Sequence, residues 1–303
     1  MILLSNRNTG NPYINLAIEE FVVRHPDFGT EDFLLLYINE PAVVLGKNQS
    51  VYKEVNFEAL KSGAIHVCRR ISGGGTVYHD AGNISFAFFS PFAEHKVNNY
   101  RYFNRPVVEA LQKLGVPAEM DSRNNILCAG KKISGNAQFT NRKVILSHGT
   151  LLFNTQLNLL RQALAINPFR VESKAVSSVR SEVMNLHTVL PDLGEAQQLL
   201  DYLITELKPA STYAFSEEQW AQINRSADEK FKSADWVYGR SPLTTIHKKE
   251  GDITVEEGRI ASITWDGLDL QFLIGTYYHY AALQTAIAHS GLADKEKLLA
   301  RLF

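Results

Sequence analysis

The chain has 303 residues, 45% hydrophobic and 21% charged, with a formal net charge of −1; that length and composition suit one large domain, or a large and a small one, around a real core. Balanced charge leaves no basic field for nucleic acid, and the two cysteines, Cys68 and Cys128, form neither a disulfide framework nor a zinc spacing and fit a reducing compartment. No apolar run of about 18 residues offers a membrane span, and the opening stretch lacks the basic-then-apolar plan of a secretory leader, so the cytoplasm is the expected setting.

In chain order, a short apolar run leads into NPYINLAIEEFVVRH, where Ile14, Leu16, Ala17, Ile18, Phe21 and Val22 fall mostly on one helical stripe. DFLLLYI and AVVLG read as buried strands broken by NEP, and NFEALKSG as a short helix closed by Gly63. AIHVCRR is a strand that delivers three consecutive glycines, Gly73 to Gly75, and GTVYHDAGNISFAFF reads as two strands around the turn HDAGN. NNYRYFNRPVVEALQKLGV is an amphipathic helix stopped by Gly115 and Pro117. The stretch from Asn124 to Asn154 reads as strands joined by tight turns at AGKK and TNRK, and TQLNLLRQALAI returns to helix. NPFRVESKAVSSVRSEVMNL has no steady period and reads as a long loop. After the helix SEEQWAQINRSADEKFKS a boundary falls near WVYGRSPLTT; hairpin turns at EEG and WDG and two short helices finish the chain. Strands and helices mix without regular alternation, which predicts an α+β fold with a mixed, largely antiparallel sheet and flanking helices. Residues 1–242 form the expected main domain and 243–303 a small α+β accessory domain.

Three clusters invite chemistry. Bare backbone at Gly73–Gly75 beside Arg69 and Arg70 can close N–H groups on an anion while an arginine clamps it; a β-bulge with two solvated arginines is the plain alternative. No P-loop pattern is present, and the glycines lead into a strand, which excludes a dinucleotide fingerprint. Lys131 and Lys132 are adjacent on a predicted strand, so they point to opposite faces, and the inward one needs an anion unless both are solvated at a hairpin turn. His148 precedes a glycine in a strand, a place of close backbone approach, where a core histidine is the ordinary case.

The strings RRISGGGTVYHDAGN, GKKISGNAQ, HGTLLFN and SKAVSSVRSEVMNL, with NLAIEE near the start and WVYGRSP near residue 240, resemble those of lipoate–protein ligases and run in the family order. The resemblance implies a biotin/lipoyl ligase-like catalytic domain that joins lipoate to ATP with magnesium, making lipoyl-adenylate, then acylates a lysine on an apo lipoyl domain. That domain belongs to a 2-oxoacid dehydrogenase acyltransferase subunit, the glycine-cleavage H protein, or both. Arg70 matches the arginine that helps hold the nucleotide and acyl-phosphate. Gly75, Thr76, Val77 and Tyr78 match the backbone lining that pocket, and Asn83 a polar contact on the nucleotide side. Lys132 matches the lysine that meets the lipoate carboxylate and the α-phosphate. His79 and His148 match recurring histidines.

Three positions depart from the family pattern. Where Arg-Asn-Asp is usual stands Arg123-Asn124-Asn125, so an amide replaces a carboxylate and a magnesium ligand at Asn125 is expected to be weak; Ser122 replaces a glycine, and Ser147-His148-Gly149 replaces His-His-Gly. Two other readings compete: an octanoyl or lipoyl transferase that uses no ATP, and a non-catalytic binder of lipoyl-adenylate or lipoyl domains. Neither cysteine sits where a transferase nucleophile belongs, and a biotin ligase suits the motif pairing least.

Overall fold

The computed structural model describes every residue except 61–63, 165, 166 and 168. Its strands and helices follow in the order β1 (Ile2–Ser5), α1 (Pro12–Arg24), β2 (Phe33–Ile38), β3 (Ala42–Leu45), α2 (Val51–Glu54), α3 (Phe57–Leu60), β4 (His66–Arg69), β5 (Val77–His79) and β6 (Asn83–Pro91). Next come α4 (Tyr100–Lys113), β7 (Ala118–Met120), β8 (Ile126–Cys128), β9 (Lys131–Ser134), β10 (Asn136–Thr140), β11 (Val144–Leu152), α5 (Leu157–Ala163), β12 (Arg170–Ser173), α6 (Ala196–Leu207) and β13 (Thr212–Ala214). The chain closes with α7 (Glu217–Ser226), α8 (Ala234–Val237), β14 (Thr244–Lys248), β15 (Gly251–Glu256), β16 (Arg259–Ile263), α9 (Tyr280–Ala288) and α10 (Lys295–Leu302).

The largest sheet has six strands in the order β10-β11-β6-β2-β1-β13. It is antiparallel from β10 to β2 and parallel from β2 to β13, the mixed, largely antiparallel α+β plan that the sequence predicts. Both faces are covered, as the burial of β2 from Phe33 to Tyr37 and of all of β11 requires. On one side α1 brings Leu16, Ala17, Ile18, Val22 and Val23 against Leu35, Ala87 and Leu146; on the other, α4 and α6 pack Val107, Leu111, Leu199 and Leu203 against Leu34, Phe86 and Ile145. Each such aliphatic side chain, fully buried, contributes about 1.5–3 kcal/mol of transfer free energy.

Smaller sheets carry the motifs. β4, β3 and β5 form one, with β3 parallel to β4 and antiparallel to β5; β7, β8 and β9 form another. The AGKK turn is a tight hairpin in which Ala129 (φ 50°) and Gly130 (φ 76°) take the two left-handed positions between β8 and β9. HDAGN, by contrast, closes no hairpin: β5 pairs with β3 while β6 lies between β2 and β11, so the chain changes sheets at the turn. The Asp80 carboxylate fixes that corner, accepting from the Gly82 N–H at 2.9 Å and from the Gln156 N–H at 2.8 Å. The expected stop at Gly63 and the end of the helix expected through Ile166 lie outside the described residues.

EEG is a hairpin turn between β15 and β16, with Glu257 and Gly258 at positive φ, whereas WDG leads to a single 3-10 turn and no strand. The stretch expected as one long loop contains β12, which pairs antiparallel with β14, so residues 243–303 build a four-stranded sheet that includes a strand from before residue 243. They also share an apolar cluster with β3, α2 and α3 through Val43, Leu45, Val51, Tyr52 and Phe57. Among the described residues no helix is long and apolar enough to cross a membrane.

Candidate functional site

A cavity of about 340 Å³ opens where the large sheet, the β3 sheet and the β8–β9 hairpin meet. Its lining includes Arg70, Gly75, Thr76, Val77, His79, Asn125, Lys132 and His148, which the sequence scatters over nearly 80 positions and the fold brings together. Of the residues matched to the family's site, Tyr78 and Asn83 alone lie off the lining. The alternation along β5 turns the Tyr78 ring into the apolar cluster behind β3, and Asn83 is fully buried with its amide near Ser85 at 3.5 Å. The apolar strands β2, β3 and β6 contribute Tyr37, Val44 and Ser85 to the wall, while most of their other side chains are core.

The glycine loop is bare for steric reasons. Gly74 has φ +87°, and a Cβ on neighbouring Gly46 would sit 2.1 Å from the Gly74 carbonyl oxygen. Arg70 is the loop's internal pin. Its guanidinium donates to the carbonyls of Val44 (3.0 Å), Gly73 (2.6 Å) and Gly75 (2.8 Å) and to Ser72 Oγ (3.0 Å). Burial lowers its pKa to about 10, so it stays charged. Arg69, fully buried, points the other way and donates to Gly46, Gln49 and Val237 carbonyls and to Ser241 Oγ. The Trp236 indole N–H returns a bond to the Arg69 carbonyl at 2.7 Å, so WVYGRSP is the structural counterpart of Arg69.

Lys131 and Lys132 separate as alternation requires. Lys131 is half exposed and pairs with Glu182 at 2.6 Å. Lys132 faces the cavity, and its ammonium has no hydrogen-bond or ion-pair partner among the described residues. Burial lowers its pKa, Arg123 and Arg70 push the same way, and Asp121 opposes them. A partly buried cation with no partner of its own is a receptor for anionic oxygen.

Behind the cavity runs a polar relay. Tyr37 Oη donates to Glu19 Oε1 at 3.0 Å, His148 Nδ1 to Glu19 Oε2 at 2.8 Å, and Ser72 Oγ lies 2.7 Å from His148 Nε2. His79 is buried, and its Nδ1 accepts from the Asn39 amide at 2.8 Å. Burial, then Arg70 and His148, lower its pKa to about 3.

The segment 174–183 lies over the glycine loop. The Glu54 carboxylate accepts from the Ser178 N–H at 3.1 Å and from its hydroxyl, while the Thr76 N–H and the Gln49 side-chain amide donate to Ser178 Oγ at 2.9 and 3.0 Å. At the far rim Asp121 gathers the RNN triplet: one carboxylate oxygen accepts from the N–H groups of Arg123 and Asn125 at 2.8 and 2.9 Å, the other from the Asn125 side-chain amide at 2.8 Å. Partial burial pushes the Asp121 carboxyl up, but those bonds outweigh it and hold it below its ordinary value. No group of three His, Cys, Asp or Glu side chains gathers as a metal cage among the described residues.

Glu19, Ser72, Glu54, Ser178 and Asp121 are site-building residues that sequence reasoning passed over. For Glu19 a signal exists: Asn15 and Glu19 are polar residues four apart on the otherwise apolar stripe of α1. A larger hollow, about 610 Å³, lies against α4, where Arg105 pairs with Glu109 and Lys113 with Glu206 at the surface.

A family model described as the lipoyl protein ligase A/B catalytic domain matches residues 11–208. The chain is 39% identical to lipoate-protein ligase LplJ of Bacillus subtilis over 253 residues, which covers 82% of this chain and 76% of that one. It resembles the crystal structure of lipoate-protein ligase A bound with ATP, with a TM-score of 0.65, 25% identity and coverage of 79% of this chain and 98% of that one. It also resembles the archaeal bi-partite lipoate protein ligase determined with its E2 lipoyl domain from Thermoplasma acidophilum, with a TM-score of 0.66, 23% identity and coverage of 79% and 96%, a likeness of fold alone.

Proposed function

The chain belongs to the lipoate–protein ligase family, and on that premise we propose that it joins lipoate to ATP and passes the acyl group to a lysine of an apo lipoyl domain. A lipoate carboxylate oxygen attacks the α-phosphorus, the bond to pyrophosphate breaks, and lipoyl-adenylate forms. The acceptor lysine, as a free amine, then attacks the acyl carbon, AMP leaves, and the amide loses its proton to solvent or AMP. The acceptor is the lipoyl domain of a 2-oxoacid dehydrogenase acyltransferase subunit or the glycine-cleavage H protein, in the cytoplasmic setting expected from two free cysteines.

The observation that carries the reading is Lys132: a lysine in the cavity wall, with no partner for its ammonium among the described residues. Carboxylate and phosphate repel, and a preorganised cation between them lowers that barrier; removing such a group typically costs about 3–4 kcal/mol. Arg70 and the glycine loop would hold the phosphate side, and segment 174–183 would keep water from the mixed anhydride. Magnesium entering with the nucleotide would shield the departing pyrophosphate. A transferase that uses a cysteine nucleophile is disfavoured: Cys68 and Cys128 are fully buried, and burial raises both thiol pKa values. The test is to incubate the protein with lipoate, ATP, magnesium and an apo lipoyl domain and weigh the product. Lipoylation that needs ATP and releases pyrophosphate supports the reading; ATP-independent acylation, or none, refutes it.

A further inference from the structure

Position 125 carries an amide where the family usually carries a carboxylate, and the structure places a carboxylate beside it. Asp121 lies at the start of a turn that brings Asn125 back over it: the Asn124 N–H donates to the Asp121 carbonyl at 3.2 Å, the Asp121 N–H to the Asn125 carbonyl at 3.1 Å, and Asn124 takes φ 65°. The Asn125 side-chain nitrogen donates to Asp121 Oδ2 at 2.8 Å. An ionised carboxylate only accepts hydrogen bonds, so this contact decides which end of the amide is which. Asn125 lines the cavity, its nitrogen is committed to Asp121, and its oxygen receives no hydrogen bond among the described residues.

We propose that Asp121 is a positioning residue that makes Asn125 present its oxygen, with a negative charge directly behind it, to a cation at the adenylation site. The amide and the carboxylate together supply what one aspartate would: an outward oxygen and an anion. The cation is either the Lys132 ammonium, on which Asp121 acts electrostatically from the same rim, or a magnesium carried by ATP. Arg123 and Arg70 are the like charges facing Lys132, so an anion on this rim is the balancing one. The inference rests on the proposed ATP-dependent reaction and adds a residue to it.

The arrangement predicts that the two side chains can be exchanged but not changed singly. Asp121→Asn turns an amide nitrogen, or an uncharged oxygen, toward Asn125 and frees its amide to flip. Asn125→Asp in the otherwise native chain sets two carboxylates against each other. Asp121→Asn together with Asn125→Asp restores one donor, one acceptor and one charge. The four full-length proteins are titrated calorimetrically with ATP, with magnesium and again with a chelator. They are also melted without ligand and assayed for the kcat and KM of pyrophosphate release. Expected are a fall of about tenfold in ATP affinity for Asp121→Asn, the scale of one lost hydrogen bond to a charged group, and recovery to within about threefold in the exchanged protein. The KM for ATP rises more than kcat falls, a split that general loosening does not give, and both single variants melt lower than the exchanged one. A loss confined to the magnesium titration assigns the oxygen to the metal; a loss in both assigns it to Lys132. Native affinity in Asp121→Asn, or an exchanged protein as weak as the single variant, overturns the proposal. A native protein that follows this pattern with ATP yet releases no pyrophosphate counts against the proposed function alone; a native protein without affinity for ATP overturns both.

Discussion

Glu19 and His148, 129 residues apart in sequence, are joined by a 2.8 Å hydrogen bond from Nδ1 to a carboxylate that is 1% exposed. Glu19 accepts from Nδ1, and on the other side of the ring Nε2 lies 2.7 Å from Ser72 Oγ, which accepts from Arg70 Nε. The helix α1 therefore reaches the glycine loop through one imidazole. Glu19→Gln offers an amide that can donate as well as accept, and the tautomer is no longer fixed. Expected is a fall of roughly tenfold in the rate of pyrophosphate release, the scale of one charged hydrogen bond. The Nδ1 and Nε2 nitrogen resonances of His148 should shift in the same variant. A rate fall with those resonances unmoved would refute this linkage.

Lys132 and Lys131 should separate cleanly by substitution. Lys132→Ala is expected to lower pyrophosphate release by about 10² or more. Lys131→Ala removes a half-exposed ion pair with Glu182, worth at most about 1 kcal/mol of stability, and should leave turnover near native. Equal losses in the two variants would contradict the assignment of the inward lysine.

The contact between Gly75 and segment 174–183 gives a paired prediction. A Cβ at Gly75 would lie 3.0 Å from Ser178 Oγ and 3.3 Å from Ser178 Cβ, and no positive φ stands in the way of a side chain. Gly75→Ala should therefore displace Ser178 and weaken binding of a non-hydrolysable lipoyl-adenylate analogue, read by calorimetry. Ser178→Gly added to it removes the clashing atoms and should recover part of the affinity. If Gly75→Ala binds as tightly as the native protein, the cover does not need its close seat on the loop.

His79 predicts an acid-side loss of stability. Its pKa is about 3 in the folded protein against 6.5 for an ordinary histidine, so between those values the unfolded chain binds a proton that the folded one refuses. This contribution is fully present above about pH 6.5 and is lost as the pH falls toward 3, at up to about 1.4 kcal/mol per pH unit. Denaturant midpoints measured at pH 7.5 and 4.5 should converge for His79→Gln relative to the native protein. An unchanged gap between the two pH values would mean that other groups carry the acid sensitivity.

Much of this architecture is legible in the residues alone, and the gaps have physical causes. FLLLYI and AVVLG announce buried strands because both faces are covered, and two adjacent lysines on a strand must diverge. A turn such as HDAGN has the same local chemistry whether its strands pair or part, so the change of sheet between β5 and β6 is invisible locally. RVES carries little strand signal of its own; β12 forms because β14 offers it a ladder more than 70 positions downstream. The Asp121 carboxylate looked like any surface acid, since its role depends on a turn that brings Asn125 back over it.

Segment 174–183, the roof of the cavity, hangs between two moorings. On one side it continues from β12, held by the ladder from Arg170–His247 to Ser173–Thr244. On the other it is stitched to the strand of Lys132, whose N–H donates to the Glu182 carbonyl at 2.9 Å and whose carbonyl accepts from the Met184 N–H at 3.1 Å. A chain cut at residue 242 would keep every residue that lines the cavity and yet lose the partner of β12. The walls would be intact, and the roof would keep its bonds to Glu54, Thr76 and Lys132 but lose the anchor at its β12 end.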